Sequence, residues 1–274
     1  MERLKKIVEE LRSRRATDQE ILNTVREYLQ TLILKIIYQS PAGAALSFMG
    51  GTCLRICYNL KRYSEDLGFA LDGDRSSFGF ATMLENLQRE LRLLGFDIST
   101  TAPKEKIVLK TFLRFAGFAG SLGLPLSRQQ EKLHIKLEAD ANPPPILKEE
   151  RESFFVNRFG EIFPILKHSL PVMFAGKILA ILQRPYPAGR DYYDLIWYLS
   201  RKTEVNLDFL NRGLKGTRFQ DKAALMEAVR KKVREVQPSA VLTDISRFLE
   251  DPTEADWISR YQELFDQLAN ARKS

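Results

Sequence analysis

The chain has 274 residues, of which 44% are apolar and 28% are charged. A chain of this length and composition can bury a substantial core, as one large domain or as two packed units. Its 42 basic residues outnumber its 35 acidic residues, which favours a polyanionic partner such as nucleic acid. The apolar runs are too short to span a membrane, and the charged N-terminus lacks the apolar core of a signal peptide. We therefore expect a cytoplasmic protein with no membrane partner, in which Cys53 and Cys57 are reduced thiols.

The first forty residues have the pattern of two helices. Thr17 and Glu20 fit a capping box, in which the Thr17 side chain accepts a hydrogen bond from the backbone N–H of Glu20. Apolar residues at helical spacing continue from Ile21, and Pro41 ends the second helix. We expect residues 1–40 to pack on the core of the following domain.

The middle of the chain mixes strand and helix patterns. Helical periodicity predicts helices at 52–61 and 77–94. Shorter apolar or alternating runs predict strands at 46–49, 67–71, 96–100, 106–116 and 131–140. This is an α+β arrangement, in which residues 41–168 form a domain with a small mixed sheet flanked by helices.

Beyond Leu170 the pattern becomes almost entirely helical. Predicted helices lie at 173–183, 189–201, 206–213, 219–236, 239–249 and 254–272. We expect residues 169–274 to form a helical C-terminal domain that closes the cleft of the preceding domain.

A glycine turn joins the first predicted strand to a helix. Gly50 and Gly51 follow a short apolar run, and Thr52 begins the helix. Such a turn leaves backbone N–H groups pointing beyond the helix N-terminus, which favours binding of a phosphate. Arg55 and Arg62 flank this turn, and the pattern is compatible with a phosphate contact by one of them or with solvated positions on a helix surface.

Carboxylates occur on two neighbouring predicted strands. Asp66 begins one strand, and alternation puts residue 68 on the same face, but residue 68 is glycine. In the second strand Glu138 and Asp140 share one face, and the sequence does not choose between them. Grouped carboxylates are typical of a Mg²⁺ site, and a solvated sheet face is the alternative.

A third segment combines a lysine with two aspartates. Lys177 lies on an otherwise apolar helix, an unusual place for an ammonium group unless it projects into a cleft. Asp191 and Asp194 follow Arg190 at the start of the next helix. These carboxylates could cap the helix, orient Lys177 or Arg190, or activate an acceptor hydroxyl, and Asp191 is the stronger candidate for a role in the site.

Together these segments resemble the AbiEii/AbiGii toxin family of nucleotidyltransferases, a branch of the polymerase-beta-like superfamily. The matching segments are GGTCLR with RYSEDL, then KLEADANPP, then GKILAILQR with GRDYYDL. The resemblance runs from about Leu46 to Leu199, in the family's order. It implies that Asp66, with Glu138 or Asp140, binds Mg²⁺.

The resemblance also implies an activity and its partners. A protein of this kind is a toxin of a toxin–antitoxin or phage-defence system, with an antitoxin as a separate protein. It transfers nucleotides from a nucleoside triphosphate to an RNA acceptor, and the 3′ end of tRNA is the known kind of target. The implied nucleotide-binding residues are Gly50, Gly51, Thr52, Lys177 and Arg190, and the implied catalytic residues are Asp66, Lys177 and Asp191.

The family pattern has a second metal-binding aspartate where this chain has Gly68, so we expect activity to be reduced or lost. Glu65 or Asp72 could supply the missing ligand, although alternation directs Glu65 to the opposite face. The glycine could instead be an inactivating substitution that lets a toxic protein be produced. A third reading is a natural relative that binds nucleotide, RNA or a protein partner without catalysis, and a plain helical scaffold is the remaining alternative.

Ser64 is a candidate regulatory residue. It precedes Asp66 by two positions and is expected to face the same cleft. A phosphate there would crowd the metal site with negative charge, so modification of Ser64 is predicted to silence the protein. A turn residue at the strand entry is the structural alternative.

Overall fold

The structure is a computed structural model that describes residues 1–73, 75, 77–101, 104–105, 108–117, 120, 122–123, 133–216 and 218–270. The chain divides into two compact units. Unit 1 contains Met1–Asn59, Tyr63–Pro143 and Glu152–Lys167. Unit 2 contains Leu60–Arg62, Pro144–Arg151 and the chain from His168 onward. Two short segments, Leu60–Arg62 and Pro144–Arg151, thus belong to unit 2 although the chain around them belongs to unit 1.

Unit 1 begins with helices α1 (Glu2–Ser13) and α2 (Asp18–Tyr38). The predicted cap is present, since the Thr17 hydroxyl accepts the backbone N–H of Glu20 at 3.2 Å. Most of α2 is buried, so this helix belongs to the core of unit 1. Among the helices that the structure describes, none has the length and apolar character needed to cross a membrane.

Within the described part of the chain, eight strands form one mixed sheet. They are β1 (Leu46–Met49), β2 (Asp66–Leu71), β3 (Ile98–Thr100), β4 (Lys104–Glu105), β5 (Val108–Phe115), β6 (Leu133–Asp140), β7 (Arg151–Arg158) and β8 (Glu161–His168). Their order is β3-β5-β6-β2-β1-β8-β7, with β4 paired to β5. Parallel pairs (β2 with β6, β1 with β8) occur beside antiparallel ones, which confirms the predicted α+β class.

Strand β2 lies inside the sheet, between β1 and β6. Its residues Leu67 and Phe69 are fully buried, as expected for an inner strand. In the antiparallel pairing with β1, Gly68 lies opposite Met49. In the parallel pairing with β6, the same glycine lies opposite Glu138. Position 68 is therefore fixed between the end of β1 and the middle of β6.

Helix α3 (Gly50–Tyr58) follows β1 with no intervening loop. Gly50 has φ +83°, a left-handed conformation that favours glycine and makes the sharp change of direction possible. The helix ends at Asn59, which is also left-handed with φ 57° and closes the last turn. A further helix of unit 1, α4 (Phe80–Leu93), lies within the predicted 77–94 segment.

The hairpin of β7 and β8 was not predicted. Its turn consists of Phe159 and Gly160, both with positive φ (51° and 72°), as in the tight turns that join antiparallel strands. Such turns usually contain Asn-Gly or Asp-Gly, and a phenylalanine gives no such signal. Pro164 inside β8 also argues against a strand, although buried Phe163 and Ile165 alternate with it. That alternation is the signal that could have revealed the hairpin.

Unit 2 is helical beyond His168, as predicted. Its helices are α5 (Leu170–Gln183), α6 (Gly189–Ser200), α7 (Leu207–Gly213), α8 (Lys222–Glu235), α9 (Pro238–Ile245), α10 (Ala255–Ile258) and α11 (Tyr261–Asn270). Helix α6 contacts α5, α9 and α11, so it lies at the centre of the unit. The helix predicted over 239–249 ends at Ile245 and continues as a 3₁₀ turn, and the one predicted over 254–272 divides into α10 and α11. The end of that last prediction lies outside the described residues.

Candidate functional site

The glycine turn presents the N-terminus of α3. Met49 is the N-cap residue of α3, and no side chain among the described residues forms a capping hydrogen bond there. The backbone N–H groups of Gly50 and Gly51 are therefore suited to binding an anion. Thr52 is buried, and its hydroxyl donates to the backbone carbonyl of Asp66. The Thr52 side chain therefore fastens the turn to the start of β2, and its backbone N–H is the group that remains for a phosphate.

Two carboxylates of unit 1 converge on one lysine. The Lys136 ammonium lies 2.7 Å from Oε1 of Glu138 and 3.8 Å from Oδ2 of Asp66. All three side chains are partly exposed. An ammonium between two carboxylates offsets their mutual repulsion, in the way that a bound cation would. The structure thus brings Asp66 and Glu138 together, as the metal-site prediction requires.

Of the two acidic candidates on β6, the geometry favours Glu138. Its backbone lies opposite Gly68, and it shares Lys136 with Asp66. Asp140 instead accepts the backbone N–H of Asn142 at 2.9 Å. That bond closes the turn after β6, the usual structural role of an aspartate at a strand end.

Neither alternative carboxylate takes the place of the missing aspartate. Glu65 forms an ion pair with Arg26 at 3.6 Å. Asp72 lies beyond the far end of β2, where its carboxylate accepts from the Ser47 hydroxyl and its N–H donates to the carbonyl of Ala45. Within the described residues no group of three or more His, Cys, Asp or Glu side chains could hold a metal ion.

The donor set fits one divalent cation better than two. Mg²⁺ is commonly held by one or two carboxylates together with substrate phosphates, and Asp66 and Glu138 meet that need. A pair of cations requires a further shared carboxylate, which Gly68 does not supply. The backbone has room for it, because a Cβ at position 68 would lie 3.4 Å from the Met49 carbonyl oxygen, an ordinary contact.

Unit 2 contains a buried network of ion pairs around Lys177. The Lys177 ammonium lies 2.8 Å from Oδ1 of Asp191 and 2.8 Å from Oδ2 of Asp194. Arg62, from the short segment Leu60–Arg62, donates from Nε and Nη2 to the two oxygens of Asp194 at 2.7 and 2.6 Å. Arg184 binds the second oxygen of Asp191. Asp194 is completely buried, and the Arg62 side chain is 2% exposed.

The opposite charges of this network stabilise one another in their ionised forms. Burial alone would lower the pKa of Lys177, but Asp191 and Asp194 outweigh it and raise that pKa above its usual value. Burial alone would raise the pKa of Asp194, but Arg62 and Lys177 outweigh it and hold that pKa below its usual value. Lys177 is therefore a permanent ammonium at neutral pH, suited to binding an anion and unsuited to act as a general base.

The surroundings of these residues match one of the alternatives that the sequence left open. Lys177 is largely buried, with 12% of its side chain exposed, and it is held by the two aspartates. Orientation of Lys177 is thus the role that the geometry gives to Asp191 and Asp194. No side chain of the described residues caps α6, so neither aspartate is its cap. Arg190 is not oriented by them, since its guanidinium lies 5.5 Å from the ring centre of Phe248.

The two arginines that flank the glycine turn are buried and paired. Arg62 binds Asp194, and Arg55 binds Oε2 of Glu27 at 2.8 Å. Of the two alternatives that the sequence left open, solvated positions on a helix surface are therefore wrong for both. The partners lie far away in sequence, so no local pattern could have revealed them. Ser64 is half-buried, and its backbone carbonyl accepts from the side-chain amide of Gln30 at 3.0 Å.

Residues 32–274 match the family described as "Nucleotidyl transferase AbiEii toxin, Type IV TA system". The chain belongs to the AbiEii nucleotidyl transferase toxin family. Membership of this family makes the AbiEii chain a toxin-type nucleotidyltransferase, as its resemblance implied. A comparison with curated proteins gives no match.

Several solved structures are similar to the AbiEii chain. A candidate nucleotidyltransferase from H. pylori aligns with a TM-score of 0.54 at 16% identity, over 90% of this chain and 96% of that chain. JHP933 from Helicobacter pylori aligns with a TM-score of 0.49 at 16% identity, over 92% and 98%. An antigenic nucleotidyltransferase-like protein from Paracoccidioides brasiliensis gives 0.43 at 16% identity, over 84% and 97%. At this identity the first alignment supports the fold alone.

Restoring a carboxylate at position 68 will strengthen binding of a divalent cation. In Gly68→Asp the new side chain joins Asp66 and Glu138, so Mn²⁺ will raise the thermal unfolding temperature more than it does in the original chain. A gain of ~1 kcal/mol corresponds to about 2–4 °C in a protein of this size. Differential scanning calorimetry with and without Mn²⁺ measures the difference.

Gly68→Asn is the matched control, because it adds a side chain of the same size without the charge. Its unfolding temperature will respond to Mn²⁺ no more than that of the original chain. Equal Mn²⁺ responses in the Asp and Asn variants would contradict a metal site built on Asp66, residue 68 and Glu138.

Replacing Asp194 with Asn will destabilise unit 2 strongly. The change removes the partner of buried Arg62 and one partner of Lys177, and an uncompensated buried charge costs about 3–5 kcal/mol. Both tryptophans, Trp197 and Trp257, lie in unit 2, so urea unfolding followed by tryptophan fluorescence reports on this unit. A loss below ~1 kcal/mol would contradict the proposed energetic role of the network.

Glu204→Gln provides the comparison within unit 2. Its ion pair with Lys222 is exposed on both sides, and such pairs contribute about 0–1 kcal/mol. The free energy of unfolding should therefore change far less than in Asp194→Asn.

The stability of unit 2 will also depend on acid through Asp194. Its pKa is lowered in the folded state, so the unfolded state binds the proton more tightly and stability falls as pH drops below about 4. The stabilisation is fully present above that pH. With falling pH, the urea midpoint will decline less steeply in Asp194→Asn than in the original chain. Tryptophan fluorescence measures this midpoint between about pH 6 and 3, the range that brackets a carboxyl titration.

Proposed function

We propose that this AbiEii chain transfers nucleotides from a nucleoside triphosphate to an RNA acceptor, the 3′ end of a tRNA, with its activity reduced by Gly68. It acts as the toxin of a toxin–antitoxin or phage-defence system, in the cytoplasm, and a separate antitoxin protein restrains it. The observation that carries the proposal is the uncapped N-terminus of α3, tied by Thr52 to the strand that begins with Asp66. One hydrogen bond, from the Thr52 hydroxyl to the backbone carbonyl of Asp66, thus ties the glycine turn to the residue that carries the carboxylate.

The residues of unit 1 would bind the triphosphate. Backbone N–H groups of Gly50 and Gly51 would donate to phosphate oxygens, which the positive end of the α3 dipole also attracts. Asp66 and Glu138 would hold Mg²⁺, which in nucleotidyl transfer neutralises phosphate charge and lowers the pKa of the attacking hydroxyl. Lys136 would then exchange its contact with these carboxylates for the phosphates.

The residues of unit 2 supply positive charge at a fixed place. Asp191 and Asp194 hold the Lys177 ammonium, and with Arg62 and Arg184 the network has three cations for two carboxylates. This excess favours contact with a phosphate, which supports the role that the resemblance gives to Lys177. The overall excess of basic residues agrees with an RNA acceptor.

The second candidate is a relative that binds nucleotide, RNA or a protein partner without catalysis. It is favoured by one observation, the Lys136 ammonium that already lies between Asp66 and Glu138, in a site to which the described residues contribute no third carboxylate. Internal neutralisation of this kind lowers the affinity for a divalent cation, because the cation must displace the ammonium.

Transfer of labelled nucleotide to total tRNA distinguishes the two candidates. We expect the Gly68→Asp variant to label RNA at least about 10- to 100-fold faster than the original chain, the range by which a missing supporting group reduces metal-dependent activity. The assay follows each of the four nucleoside triphosphates in the presence of Mg²⁺.

The control is Gly68→Asp combined with Asp66→Asn, which keeps the new aspartate and removes the resident one. It should return to the rate of the original chain. If neither the original chain nor Gly68→Asp transfers any nucleotide, the transfer proposal is wrong and the binding candidate takes its place.

A further inference from the structure

Tyr186 is the most exposed large apolar side chain among the described residues, with 79% of its surface open to solvent. It lies in the loop that joins α5 to α6, between Pro185 and Pro187. Each proline fixes its own φ, so the loop has little conformational freedom to lose when a ligand binds. A rigid exposed aromatic ring of this kind is suited to stacking.

The loop is anchored on both sides of Tyr186. At its start, Arg184 binds the Asp191 carboxylate that also holds Lys177. At its end, Gly189 packs so closely on α9 that a Cβ would lie 2.7 Å from the carbonyl oxygen of Val241. The ring is therefore attached to the same framework as the buried network, within unit 2.

Cationic groups flank the ring along the chain. Arg184 precedes it by two residues and keeps 45% of its side chain exposed. Arg190 follows it by four residues, with its guanidinium held against Phe248. Proteins bind single-stranded nucleic acid through aromatic rings on which bases stack and through nearby cations that bind the phosphates.

We infer that Tyr186 is a stacking platform for an unpaired base of the RNA acceptor, with Arg184 and Arg190 contacting the adjacent phosphates. The inference deepens the proposed function, on which it rests for the nature of the acceptor. A strand of RNA fits better than a free nucleotide, because small ligands are bound in concave sites that bury most of their surface, and Tyr186 is open. The charge of the flanking arginines favours a polyanion over an apolar protein surface.

Binding of a fluorescently labelled single-stranded RNA, measured by anisotropy without Mg²⁺ or nucleotide, tests the inference on the full chain. Tyr186→Ala should weaken binding roughly 5- to 150-fold, as expected for loss of one stacked base. Tyr186→Phe keeps the ring and should bind within about twofold of the original chain, since stacking tolerates ring substitution. Circular dichroism checks that each variant is folded.

The salt dependence separates stacking from charge. Tyr186→Ala should leave the slope of log affinity against log salt unchanged, whereas Arg190→Gln should make it shallower by about one phosphate contact. Phe155→Ala is the matched control, because Phe155 is also an exposed aromatic residue, 66% open, but lies in β7 of unit 1. It should bind RNA like the original chain.

Several outcomes would overturn the inference. They are equal RNA binding by the original chain and Tyr186→Ala, an equal loss in Phe155→Ala, no RNA binding at all, or a Tyr186 effect confined to titration with a nucleoside triphosphate. The result is independent of nucleotide transfer. A loss of RNA binding in Tyr186→Ala would support the platform even if Gly68→Asp transfers no nucleotide, and transfer without a Tyr186 effect would reject the platform alone.

Discussion

Strand β2 pairs on both sides, antiparallel with β1 and parallel with β6, and this double pairing fixes every group of the candidate metal site. A shift of one residue would turn Asp66 to the opposite face and bring buried Leu67 out of the core, so the register is strongly specified. The Thr52 hydroxyl adds a tie from the glycine turn to the first residue of β2. The glycine turn and the acidic side chains thus depend on one strand.

The position of Gly68 determines which carboxylates surround the candidate metal site. Residue 68 lies between Met49, which precedes the glycine turn, and Glu138. The backbone accommodates a side chain there, so the difference from the family pattern is chemical and the fold is unaffected. With one carboxylate fewer, the Lys136 ammonium suffices to neutralise much of the charge on Asp66 and Glu138.

The ion pairs of unit 2 represent a different solution to burying charge. Taking an aspartate and an arginine out of water costs roughly several kcal/mol for each ion. Only complete pairing of the buried charges can offset this cost. Arg62 meets this need by binding both oxygens of Asp194, and Lys177 divides its contacts between Asp194 and Asp191. The result is an ammonium whose position and charge are both fixed.

The sequence by itself determined the α+β class, the capped helix α2, the glycine turn and the family, because each is written in residues that are close together in the chain. It left Glu138 and Asp140 equivalent, since alternation reports a face and not the contacts on it. Only the tertiary structure decided that Glu138 meets Asp66 through Lys136, and that Arg62 is buried against Asp194, which is 132 residues away. The hairpin of β7 and β8 was not predicted, because phenylalanine is unusual at the turn position of Phe159 and proline is unusual at the strand position of Pro164. The contacts of Glu138 and Arg62 form because segments distant in the sequence pack together, and that packing leaves no local pattern.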